Sequence, residues 1–379
     1  MKLFNLLFFI SFLILGCSSD NESEEEINAI ALPKLTTTDI SEINPKSALS
    51  GADIQDNGGG NIISKGICWS VDENPTIDDY KTDEGIGNSS FTSALIELRP
   101  NTQYYVRAYA TNESGTAYGN EIRFKTDHFI YEGHVALKSQ SEVDEFGALG
   151  YTIINGALNI GEIQVQSDIS SLTNLKDLTV IEEVLTIEGI HSFESLSGLQ
   201  NLNHLGAMYI RDTKITNLDE LINLTELNGG TSGGGISFLG GNENLRDIDG
   251  LRNIEKINGW LDINNNPSLE NIDGLISLRT ISNLTIDRNN KITNLDALIN
   301  INSTLTFLEI ERNQSLENID GLRNVMSINF RLIIDDNPVL KDFCALSSIA
   351  LNEEEFNFII SNNLYNPTRE DIKNGQCKL

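Results

Sequence analysis

Leu261-Asp262-Ile263-Asn264-Asn265-Asn266-Pro267-Ser268-Leu269-Glu270-Asn271-Ile272-Asp273-Gly274-Leu275 is the phrase that decides the fold, because the chain repeats it. Further copies begin at Leu284, Leu308 and Leu332, and the inward-reading isoleucine recurs at Ile263, Ile286, Ile310 and Ile334, in steps of 23, 24 and 24 residues. Looser copies put Ile160, Ile187, Ile210 and Leu239 in the same slot. A fixed period of this length predicts a solenoid. Leu261 and Ile263 alternate with Asp262, the pattern of a half-buried strand. Ile272 with Leu275, and Ile254 with Ile257, are expected on two further sides of each coil.

Two asparagine columns run through the repeat. Asn242, Asn266, Asn289, Asn313 and Asn337, continued at Asn363, are expected to form a structural ladder, hydrogen-bonded to backbone and to one another at a coil spacing of ~4.8 Å. Asn174, Asn201, Asn223, Asn253 and Asn324 form the second column. Gly198, Gly250, Gly274 and Gly321 mark a corner where positive φ is expected. The period lengthens between Ile160 and Ile187, near Val180–Glu183, and again between Ile210 and Leu239, where 228–235 reads as a mobile glycine-rich loop. Ahead of the repeat, Ser141 reads as the cap of a short amphipathic helix with Val143, Phe146 and Leu149 inward, a lid for the first coil.

Residues 33–127 read differently. Short strand candidates at Ser47–Ile54, Ile63–Ser70, Ser90–Leu98, Gln103–Thr111 and Glu121–Thr126 are separated by turn clusters, which predicts a β-sandwich. The fold class is therefore mainly β: a sandwich followed by a β-solenoid of ~24-residue coils, with a short N-terminal capping helix.

The N-terminus carries a targeting signal. Lys2, an apolar run from Leu6 to Leu15 and Gly16-Cys17 describe a secretory leader too short for a comfortable membrane span. Residues 18–26 are Ser, Asp, Asn and Glu, a solvated acidic tether spanning 17–32. Of four cysteines, Cys344 and Cys377 bracket the last coil and are expected to pair, while Cys68 in Ile67-Cys68-Trp69 is expected as a buried thiol. A net charge of −29 repels phosphate backbones and argues against a nucleic-acid partner.

Four resemblances add to this. Ile14-Leu15-Gly16-Cys17 resembles a bacterial lipobox, which implies removal of residues 1–16 and lipidation of Cys17; the acidic run after it is similar to the surface-export signal of Bacteroidota lipoproteins, which implies an outer-membrane, cell-surface location. The stretch Leu98 to Asn112, with Tyr104 at a tyrosine-corner position, resembles a fibronectin type III module, in such chains usually a spacer. Residues 128–379, with the Gly198-Leu199-Gln200-Asn201-Leu202 corner, resemble the receptor L-domain, a relative of leucine-rich repeats, which implies a right-handed β-solenoid and a style of binding.

Chemistry is sparse. His128, His134, His191 and His204 show no metal-ligand spacing, and no nucleophile or phosphate-loop motif is present, so no cofactor, metal site or catalytic residue is expected. Carboxylates on successive coils, Asp287, Glu311 and Asp335 with Asp262 and Glu309, are the one enzyme-like feature. They suit Ca²⁺, a polysaccharide hydrolase or a lyase, but Arg288 and Arg312 make an exposed charge ladder the simpler expectation. The middle residues of the strands face solvent: Thr186, Tyr209, Phe238, Asp262, Thr285, Glu309 and Ile333. Tyr209 and Phe238, with Trp260 placed one residue before the next strand, are the expected ligand site unless the 228–235 loop or the sandwich covers them. The expected function is a lipid-anchored surface binding or adhesion protein recognising an extracellular protein or glycan. The alternatives are glycan capture beside an uptake system, or the hydrolase or lyase above.

Overall fold

A computed structural model describes residues 29–163, 167–229, 235–351 and 357–379; of 235–238, 350 and 351 only the backbone is described. The leader, Cys17 and all but the end of the acidic tether lie outside the described residues.

The sandwich unit packs two antiparallel sheets. Lys34–Ser41, Ala48–Asp56 and Phe91–Leu95 form one; Tyr80–Lys81, Ser64–Ser70, Gln103–Asn112, Gly115–Tyr118 and Ile122–Lys125 form the other. Ile67, Trp69, Leu95, Val106 and Phe124 fill the space between them. Tyr104 closes a fibronectin type III-like corner: its hydroxyl accepts the Arg99 N–H at 3.0 Å. Cys68 is a buried free thiol, pushed up to about 11 by desolvation. The strand Lys34–Ser41 escapes a hydropathy reading because only Thr37 of its eight residues is buried.

The second unit is a 14-stranded sheet, its successive coils paired in parallel through matching repeat positions. Leu261↔Leu284↔Leu308↔Leu332 and Ile263↔Ile286↔Ile310↔Ile334 form two inward columns, and every member is fully buried. The second side of each coil is a short 3-10 turn, such as Asp249–Leu251, Asp273–Leu275 and Asp320–Leu322, that sends Leu251, Leu275 and Leu322 inward. Ile257 lies on the third side: the column Ile181↔Leu205↔Leu227↔Ile257↔Ile281 pairs separately, and within Lys256–Asn264 a register break between Ile257 and Trp260, at Gly259 with φ +125°, divides it from the side that carries Leu261 and Ile263.

Positive φ at the glycine corner holds only for Gly198. At Gly250, Gly274 and Gly321 the constraint is contact: a Cβ there would lie 1.6, 1.8 and 1.8 Å from the carbonyl oxygens of Leu218, Ile248 and Leu295 on the preceding coil. The left-handed corner falls elsewhere, at Asp212, Asn265, Arg288, Arg312, Asp336 and Asn362, all with φ of 53° or 54°. The asparagine ladder follows immediately and stabilises that turn. Asn266, Asn289, Asn313 and Asn337 are fully buried. Each side-chain oxygen accepts the backbone N–H of the ladder asparagine one coil earlier, as Asn313 Oδ1 does from Asn289 at 3.0 Å. Each amide donates to a strand carbonyl of the preceding coil, as Asn313 Nδ2 does to Ile286 O at 2.9 Å. The second column is exposed and makes one bond per coil, for example Asn324 Nδ2 to Ile299 O at 2.8 Å.

The helix Gln140–Leu149 is capped by Ser139, not Ser141, because Glu142 sits at the third helical position from Ser139 and completes a reciprocal capping box. Val143 and Phe146 enter the solenoid core, while Leu149 is exposed. At the other end, the helix Arg369–Lys373 buries Ile372, and a Cys344–Cys377 disulfide ties the tail to the last coil.

Candidate functional site

Residues alternate across a strand, so the long sheet presents outward columns between its buried ones. The middle column is Thr186↔Tyr209↔Phe238↔Asp262↔Thr285↔Glu309↔Ile333. Two residues earlier runs a column that sequence reading did not isolate: Trp260↔Asn283↔Phe307↔Arg331. Trp260 is therefore inside its strand, in this earlier column, rather than ahead of the strand.

Tyr209 is half-buried, with the Arg211 guanidinium 5.1 Å from its ring centre; Arg211 also pairs with Glu188 at 3.1 Å. Phe238 is its ladder neighbour, but the Phe238 side chain, like residues 230–234 of the glycine-rich loop, lies outside what is described.

The well-defined aromatic group is one coil further on. The Trp260 and Phe307 rings stack at 5.1 Å, with 14° between planes. Their positions in the ladder are two strands apart, ~9.6 Å at ordinary strand spacing, so the rings lean towards each other over Asn283. The Trp260 indole N–H donates to Thr285 Oγ1 at 2.9 Å, and Thr285 is buried. Phe330 meets Phe307 edge-on at 5.3 Å and remains 46% exposed. Arg331 lies over the Phe307 ring at 5.5 Å and donates to Glu309 Oε1 at 2.9 Å. Phe307 and Phe330 were missed because the strand phrase draws attention to its middle residue. The signal available was the aromatic at Phe307 one coil register from Arg331.

The carboxylates are not an exposed ladder. Asp287 is 2% exposed and takes both oxygens' bonds from guanidiniums: Arg312 at 2.7 and 2.9 Å, and Arg288 at 2.8 Å. Arg312 also reaches Glu311 at 3.3 Å, and burial pushes the Glu311 carboxyl up. Asp335 accepts from Ser361 and Asn362 at 2.6 and 2.8 Å. Asp262 differs from these: its Oδ1 is covered and has no hydrogen-bond partner. Desolvation first, then the negative charges of Asp287 and Glu309, push it up to about 6. Asn283 Oδ1 and Arg331 Nε, both in the adjoining column, are likewise covered and unpartnered. Buried polar atoms without partners are costly and uncommon, and three fall within one outward patch of four coils. Among the described residues no group of His, Cys, Asp or Glu is placed to hold a metal ion.

No family model matches the chain, and no curated protein matches it. Solved structures do. A structure described as a myokine matches at 18% identity over 24% of this chain and 97% of its own, with a TM-score of 0.20. The fibronectin type III domain of human fibronectin type III domain containing protein 3 matches at 16% over 26% of this chain and 85% of its own, TM-score 0.18. The pectate lyase PelI of Erwinia chrysanthemi, solved with tetragalacturonic acid, matches at 10% over 75% of this chain and 85% of its own, TM-score 0.19. Likeness at this level assigns neither family nor activity. The chemistry is that of the patch itself: flat apolar rings beside acceptors and a donor that lack partners, an arrangement suited to gripping a ligand with both apolar and hydrogen-bonding faces.

Proposed function

We propose that this is a lipid-anchored binding protein of the outer cell surface, built like a Bacteroidota surface lipoprotein with a receptor L-type solenoid, and that it captures an extracellular glycan without turning it over. The lipobox-like Ile14–Cys17 and the acidic run behind it support the anchoring. The sandwich then serves as a spacer and the solenoid as the recognition unit. The observation that carries the glycan reading is the Trp260–Phe307 stack with Phe330 on its edge, set among the unpartnered atoms of Asp262, Asn283 and Arg331. Sugar rings offer an apolar face for the aromatics and hydroxyls that both donate and accept. The core of an interface for a protein partner, by contrast, is depleted in carboxylates.

The test is capture of defined polysaccharides and of host-cell proteins by the purified full-length protein on arrays. Binding confined to glycans supports the proposal; binding confined to proteins replaces it with adhesion to a protein. Reducing ends or unsaturated products appearing on prolonged incubation would replace capture with hydrolysis or elimination.

A further inference from the structure

We infer that the glycan captured here carries a protonated amine, and that the Asp262 carboxylate beside the Trp260–Phe307 stack is its counter-ion. This rests on the glycan-capture reading and narrows it to a substrate class: sugars with free amino groups, such as glucosamine units, in preference to neutral or uronic ones.

The argument begins with charge pairing. Asp262, Asp287, Glu309 and Glu311 face one another across three coils, with the guanidiniums of Arg288, Arg312 and Arg331 among them. Asp287 takes Arg288 and Arg312, Glu311 shares Arg312, and Glu309 takes Arg331. With Asp335, five carboxylates meet three cations; Asp335 accepts from Ser361 and Asn362 instead, and Asp262 is the one whose covered oxygen has no hydrogen bond or ion pair. Natural folds rarely leave a half-buried carboxylate in that state, because removing it from water without a partner is expensive. A cation arriving from outside completes the set.

The neighbours of Asp262 say what kind of cation. An ammonium presents up to three N–H donors, and the patch holds two covered acceptors without donors, Asp262 Oδ1 and Asn283 Oδ1. The rings of Trp260 and Phe307 add electron-rich faces that attract a cation, most strongly for tryptophan. The remaining unpartnered donor, Arg331 Nε, suits a hydroxyl or ring oxygen of the same sugar. A uronate in this position would add a further negative charge beside Asp262, Glu309 and Asp287, and like charges at this range repel. An N-acetylated sugar would bring no charge to pair with Asp262.

Both free acceptors are covered, and Trp260 stands beside them, two residues before Asp262 and paired with Asn283 in the ladder. Trp260 is thereby a reporter: the chain has two tryptophans, and the other, Trp69, is buried in the sandwich core.

The experiment titrates the full-length protein, in detergent, with the hexamers of glucosamine, N-acetylglucosamine, glucose and galacturonic acid, following tryptophan emission and binding heat. The glucosamine hexamer is expected to bind at least tenfold more tightly than the other three at pH 7. Its affinity should fall as pH drops through about 6, where Asp262 takes up a proton. It should fall again as pH rises and the sugar amine loses its proton. Asp262→Asn should erase the preference for the amine; Trp260→Phe should erase the emission change and keep the preference. Equal or tighter binding of a neutral or acidic hexamer at Trp260 overturns the amine and leaves glycan capture standing. Retention of the amine preference in Asp262→Asn assigns the charge recognition elsewhere and overturns the inference, as does failure of all four hexamers to bind.

Discussion

Asn313→Ala is the perturbation whose cost the ladder fixes most closely. Asn313 is fully buried. Removing its amide leaves the Asn289 N–H without its acceptor at 3.0 Å and the Ile286 carbonyl without its donor at 2.9 Å. Neither group has water within reach of a closed coil interior. At ~1–3 kcal/mol for each stranded group, the loss is roughly 2–6 kcal/mol. Asn324→Ala is the internal control: an exposed member of the second column with one bond, at 2.8 Å to Ile299 O, worth roughly 0.5–1.5 kcal/mol. Urea unfolding of both variants, followed by far-UV circular dichroism, gives the comparison from the shift in midpoint. Asn313→Asp adds a pH axis. Its carboxylate still accepts from Asn289 but cannot donate to Ile286 until protonated, so this variant should recover part of its loss as pH falls. A loss below ~1 kcal/mol for Asn313→Ala, or equal losses for the two alanine variants, would refute the assignment of stability to the buried ladder.

Further expectations concern the corners and ends. Gly274→Ala should prevent close stacking of adjacent coils, because its Cβ would sit 1.8 Å from Ile248 O, and should show as lost soluble protein or a midpoint drop larger than that of Asn313→Ala. Opening the Cys344–Cys377 bridge, whose cysteines are 33 residues apart, should cost roughly 3–4 kcal/mol by loop entropy, and a thiol assay on unfolded, unreduced, lipidated protein should titrate Cys68 alone. Asp262→Asn should raise stability at pH 7.5 and leave it unchanged near pH 3.5. A carboxyl raised by burial penalises the folded state only where it is ionised, and the penalty is relieved as pH falls through about 6. A wild-type and variant that unfold at the same midpoint at pH 7.5 would show that the Asp262 charge is solvated.

The repeat made the solenoid readable because burial at a fixed period writes itself into sequence: Ile263, Ile286, Ile310 and Ile334 are all fully buried, in register. Glycine spacing was equally legible, but its cause was not. Sequence shows glycine recurring at Gly250, Gly274 and Gly321, with Glu220 and Ala297 in the same slot of other coils; whether φ or the approach of the Leu218, Ile248 and Leu295 carbonyls favours glycine is a property of stacking. Conversely, the left-handed corner at Arg288 and Arg312 is filled by ordinary residues and has no compositional mark. Burial of Asp287 was hidden for a similar reason: its partner Arg312 is 25 residues away and becomes adjacent only when coils stack. The aromatic patch was half legible. Trp260 stood out, but its stacking on Phe307 across Asn283 depends on the bend at Gly259 that shifts register between Ile257 and Trp260.

Whether recognition happens on the outward face at Trp260 and Phe307 is decided most directly by the double variant Trp260→Ala, Phe307→Ala, assayed beside the wild type for capture of whichever glycan the array identifies. Both rings are half-buried on an outward column rather than in the core. The account predicts loss of capture by at least a hundredfold, with the thermal transition displaced by no more than a few degrees. Capture at wild-type strength by a variant that still melts like the wild type would contradict it.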